Sequence, residues 1–73
     1  MLKNRIAGIR TEKGLSQEKL AENSEISRVA LSAIENGTIP NGNTMINISK
    51  ALNKKVEEIF MMILWYIINN IFW

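Results

Sequence analysis

Along the first 60 residues the apolar positions recur at helical spacing, and no run alternates apolar with polar as a half-buried strand would. Leu2, Ile6 and Ile9 share one stripe. They predict a first helix over about residues 2–13, with Lys3, Arg5 and Lys13 solvated and Gly14 as its stop. Ser16 is placed to cap a second helix, its hydroxyl accepting from the free amides of the turn it opens, and Leu20 and Ala21 give that helix a small buried face. Three polar residues, Asn23, Ser24 and Glu25, then interrupt the stripe. Ile26 fills the gap and Ser27 caps a third helix whose inward positions are Ala30, Leu31 and Ile34. Gly37 is suited to the left-handed conformation that ends it. Residues 38–43, TIPNGN, read as loop, because Pro40 disfavours helix at the residue before it and Gly and Asn suit turns. Asn41 can cap a fourth helix carrying Met45, Ile48 and Leu52, with Asn53 as its stop, and Val56, Ile59 and Phe60 mark a short fifth. The pattern predicts an all-α fold of five short helices, with each apolar stripe most simply read as core.

Two short helices around a turn of a few residues, as residues 15–37 present them, make a helix-turn-helix, which offers its second helix to a DNA groove. The stretch GLSQEKLAENSEISRVALSAIENG also resembles the Cro/phage-repressor-type (xenobiotic-response-element-like) helix-turn-helix regulators. The resemblance runs over roughly residues 2–60. It is carried by Ile9-Arg10, Gln17, Leu20-Ala21, Ser27-Arg28, Ile34-Glu35-Asn36-Gly37, Ile39-Pro40, Ala51-Leu52 and Ile59-Phe60 in register. Two positions depart from the pattern: Glu25 stands in the turn where Gly is frequent, and Ser24 where an apolar residue is common. The resemblance implies a compact repressor-type DNA-binding domain over residues 1–60. It also implies an ion pair between Arg10 and Glu35 that ties the first helix to the end of the third.

Composition narrows the chemistry. The chain has neither Cys nor His, which removes disulfides, zinc-finger geometry, thiol catalysis and the commonest acid–base catalyst. No paired carboxylates or phosphate loop compensate, so neither an enzyme nor a cofactor or metal site is expected. Ser16, Ser27 and Ser32 are better caps and surface polar groups than nucleophiles. With no apolar signal-peptide core at the start, a cytoplasmic protein is the default expectation. Net charge is +2, basic but modest for a purely electrostatic nucleic-acid binder.

The recognition chemistry follows from the motif. The outward residues at the start of the third helix, Ser27, Arg28, Val29, Ser32 and Ala33, face base edges if that helix enters the major groove. Arg28 is the long donor among them. Its planar fork can take guanine O6 and N7 together, worth about 1–3 kcal/mol of discrimination, or it can hold a phosphate instead. Val29 suits a thymine methyl and Ser32 discriminates weakly, so DNA shape is expected to supply part of the specificity. By resemblance, Gln17 and the residues Asn36, Thr38, Asn41 and Asn43 meet the DNA backbone, with Lys19 a plausible addition. Lys50, Lys54 and Lys55 read as a more distant solvated face.

The last residues differ in kind. Every Lys, Arg and Glu precedes Ile59, whereas Phe60, Trp65, Tyr66, Phe72 and Trp73 all follow it. Ile59 to Ile68 are ten consecutive apolar residues, short of the roughly 20 that a membrane span needs and lacking the basic face of a surface anchor. The tail, residues 61–73, fits a helix or a strand equally. It reads as a self-association segment, against the alternatives of a packing extension over the domain or the product of a truncation. The leading expectation is a sequence-specific regulator, a repressor acting as a homodimer on a two-fold DNA operator. The competing one is an antitoxin-like or partner-binding module whose apolar tail docks another protein.

Overall fold

The computed structural model describes residues 4–60 and 69–71. Five helices follow one another: α1 (Ile6–Glu12), α2 (Gln17–Asn23), α3 (Arg28–Glu35), α4 (Gly42–Leu52) and α5 (Val56–Ile59). Residues 69–71 are helical as well. Among the described residues there is no strand. Leu2 and Lys3, and most of the tail for which helix and strand were both open, lie outside the described residues.

Local side-chain chemistry starts three of the helices. Ser16 Oγ accepts from the Lys19 amide, Ser27 Oγ from the Ala30 amide and Asn41 Oδ1 from the Thr44 amide, at 2.9–3.0 Å. Each bond satisfies one of the amides that a helix leaves unpaired in its first turn. Asn53 ends α4 in the left-handed region at φ 53°, a conformation that Asn tolerates better than most residues. At the start of α5, the Lys55 amide donates to Glu58 Oε1.

Two boundaries differ from the sequence expectation. α1 begins at Ile6 rather than near residue 2, because the amides before it are bonded elsewhere. Ile6 N donates to the Asn4 side-chain oxygen, and Arg5 N donates to the carbonyl of Ile59 at the end of α5. The second difference is at α4, which starts at Gly42, so Asn43 belongs to its first turn and not to the loop. The Asn41 cap sets that start and outweighs the poor helix propensity of Gly42.

Each of α1 to α5 contributes to one core. Ile6 and Ile9 of α1 meet Leu20 and Ala21 of α2, Leu31 and Ile34 of α3, Ile48 and Leu52 of α4, and Ile59 with Phe60 at the end of α5. Burying each of the larger side chains stabilises the fold by about 1.5–3 kcal/mol. α2 lies against both α3 and α4, and α5 closes onto α4. Ala30 and Met45, both expected inside, are half-buried, and Met45 packs against the cluster from its edge.

The turn between α2 and α3 carries two local conflicts. Glu25 sits at φ 60°, a region that costs an ordinary L-residue about 1–2 kcal/mol. Ser24 beside it is fully buried, and its Oγ has no hydrogen-bond partner among the described residues. Backbone bonds hold the turn regardless, with the Ile26 amide donating to Ala21 O at 3.0 Å. Ile26 packs against the core below. Replacing Ser24 by Ala removes the orphaned hydroxyl and is expected to raise stability by about 1 kcal/mol. For a domain of this size that is a rise in melting temperature of roughly 4–8 °C by scanning calorimetry. A fall would mean that the hydroxyl has a partner.

Candidate nucleic-acid interface

α3 has two unlike sides. Leu31 and Ile34 are buried, and Ala30 lies half-buried beside them. At about 100° per residue, Arg28, Val29, Ser32, Ala33 and Asn36 fall within an arc of about 140° on the other side. Of these, Arg28, Val29, Ala33 and Asn36 are exposed, and Ser32 is half-buried. Val29 is 74% exposed, more than any other large hydrophobic among the described residues. Among the described residues nothing pairs with the Arg28 guanidinium, so its donors are available to an outside acceptor. Ser27, exposed, has its hydroxyl engaged as the cap.

The residues expected at a phosphate backbone come from the first turn of α2, the end of α3 and the segment leading into α4. Gln17 is the first residue of α2 and half-buried. Lys19 is exposed two residues on, with Nζ 3.9 Å from Glu22 Oε1. Asn36 closes α3, its Nδ2 donating to the Ser32 carbonyl at 2.9 Å. Thr38 and Asn41 are exposed in the loop, and Asn43 is exposed in the first turn of α4. Lys50, Lys54 and Lys55 gather elsewhere, around an open hollow of about 420 Å³ at the α4–α5 corner to which α3 contributes nothing.

The whole arrangement, residues 6–59, matches the family model described as Helix-turn-helix. A protein of Bacillus subtilis (strain 168) named as an uncharacterized HTH-type transcriptional regulator, YgzD, is 36% identical over 62 residues, 84% of this chain and 94% of that protein. The chain belongs to the Cro/phage-repressor-type helix-turn-helix family. It is a DNA-binding transcriptional regulator of that family, whose members are not enzymes. Among the described residues no group of His, Cys, Asp or Glu is placed to hold a metal, and no helix is long and apolar enough to cross a membrane.

Besides the shared core, a polar cluster ties the end of α3 to α1. Arg10 Nε donates to Glu35 Oε2 at 2.9 Å and Arg10 Nη2 to Glu35 Oε1 at 3.3 Å. Arg10 Nη1 turns back to the Leu15 carbonyl at 2.9 Å. The two side chains are 17% and 7% exposed, so the pair is largely desolvated. Two bonds of the region have no signal in the sequence. Asn4 Nδ2 donates to the Ile34 carbonyl at 2.8 Å, and Gln17 Nε2 donates to Glu35 Oε1 at 3.0 Å. Both join residues distant along the chain, and only the folded arrangement brings them together.

Removing one member of a buried, hydrogen-bonded pair strands the other without solvent. Arg10→Ala is therefore expected to lower stability by about 3–5 kcal/mol in denaturant unfolding. Total stability for a chain of this size is about 0.05–0.15 kcal/mol per residue, so such a loss leaves the variant close to unfolding. A loss below about 1 kcal/mol would place the pair among ordinary surface ion pairs.

Proposed function

We propose that this regulator is a repressor that binds a two-fold DNA operator as a homodimer, with α3 in the major groove. The observation that carries the reading is the outward arc of α3, in which Arg28 and Val29 are exposed at the start of the helix while its other side is packed. Recognition helices of this class present their N-terminal residues to base edges. In this reading Ser27, Arg28, Val29, Ser32 and Ala33 face the bases, and Arg28 takes a guanine through O6 and N7. Gln17, Lys19, Asn36, Thr38, Asn41 and Asn43 meet phosphates and fix the register. Residues 1–60 form the DNA-binding domain, and the apolar tail, residues 61–73, supplies self-association, consistent with the 69% exposure of Ile71. In this reading the protein works in the cytoplasm.

Selection of bound duplexes from a random pool, with the full chain at near-physiological salt, tests this reading. A palindrome is expected, its half-site centres about one DNA turn apart. A guanine held at one place in each half-site is expected to lose its preference with Arg28→Ala. Lys19→Ala is expected to leave the selected sequence unchanged and to reduce the slope of log affinity against log salt by about 0.9. Enrichment of nothing by a folded chain would overturn the autonomous regulator in favour of one that needs a partner protein.

A further inference from the structure

Glu35 accepts from two sides. Arg10 reaches both of its oxygens, and Gln17 Nε2 adds a third bond to Oε1 at 3.0 Å. A carboxylate only accepts, so the amide nitrogen of Gln17, and not its oxygen, has to face Glu35. That choice fixes the Gln17 amide plane. One N–H is held by Glu35, while the second N–H and the Oε1 atom have no partner among the described residues. Gln17 is half-buried and Glu35 only 7% exposed, so the amide is held from a side that solvent hardly reaches.

We propose that Glu35 is a positioning residue for Gln17, holding its amide so that the second N–H donates to a DNA phosphate. This rests on the proposal that Gln17 meets the DNA backbone. The geometry gives Arg10 a second task. A bare carboxylate one residue from a phosphate site would repel the DNA, and the guanidinium neutralises it while leaving Oε1 able to accept from Gln17. The cluster thereby couples the C-terminal end of α3 to the phosphate anchor at the start of α2. The distance between the base-reading helix and the backbone contact is then set by one hydrogen-bonded group.

A thermodynamic cycle on operator affinity tests the coupling. Gln17→Met removes the amide with little change of volume, and it is measured in the native chain and in an Arg10→Met, Glu35→Leu background. Apolar replacement of both members of a buried pair commonly keeps a fold intact. In the native chain Gln17→Met is expected to weaken binding roughly tenfold, the scale of a hydrogen bond to a charged group. In the apolar background, where nothing orients the amide, the same substitution is expected to change affinity by less than about twofold. A merely structural Glu35 would not produce this difference, and equal losses in both backgrounds would overturn the proposal. So would a Gln17→Met variant that binds like the native chain while Arg28→Ala does not, a result that leaves the regulator reading standing. A native chain that binds no duplex would overturn both. If the apolar background does not fold, proton exchange of the Gln17 side-chain amide in the native chain decides instead. One slowly exchanging N–H in the free chain, with the other shifting and becoming protected when operator is added, supports the proposal, and exchange of both protons at the rate of a free amide overturns it.

Discussion

The Arg10–Glu35 pair is the constraint on which the presentation of α3 depends. A helix of eight residues is too short to be stable alone, so its position has to come from tertiary contacts. Leu31 and Ile34 supply these on the inner side, but apolar contacts alone are non-directional and leave rotation about the helix axis weakly specified. The ion pair removes that freedom at the end of α3 because both Glu35 oxygens are engaged by a planar fork held on α1. Asn4, bonded to the Ile34 carbonyl, adds a second directional tie one residue away. With rotation fixed, the side that carries Arg28 and Val29 can only face outward.

The turn that precedes α3 shows the opposite tendency. Ser24 and Glu25 each contradict the local rule for their position, one as a buried hydroxyl without a partner and the other as a non-glycine at positive φ. Strong neighbours make these conflicts tolerable. The Ser27 cap, the Ile26 contact with the core and the bond from the Ile26 amide to Ala21 O all favour the same turn. The helix-turn-helix is therefore held from its far end and from its core face, and least firmly at the turn itself.

How much of this could be read from the sequence depends on the range of each interaction. Ser16, Ser27 and Asn41 cap helices through bonds to the third residue on, and the residue types and spacing that make such caps are visible in the chain. The core positions on the stripes were legible for the same reason, since periodicity records burial on one side. The start of α1 was not legible. Asn4 bonds across 30 residues to Ile34, and Arg5 donates to Ile59, so the boundary is set by partners distant along the chain. At α4 the turn-favouring Gly42 and Asn43 extend the apparent loop to Asn43, but the Asn41 cap prevails and the loop ends there. At the candidate interface, the outward arc of α3 is readable from spacing, whereas the bond from Gln17 to Glu35 is not, because it joins two helices whose relative placement the pattern does not contain.

The side chains proposed to read bases are a sparse set, with one long donor, one apolar contact and small polar groups. Specificity in such a set leans on the placement of the helix and on DNA shape as much as on direct contacts. The most direct test of where DNA binds is amide chemical-shift mapping of the full chain during titration with a selected duplex. Large changes should fall on Gln17 to Lys19, on Arg28 to Ala33 and on the loop from Asn36 to Asn43, with Lys50, Lys54 and Lys55 unaffected. Changes centred on the α4–α5 corner, with α3 silent, would contradict the account.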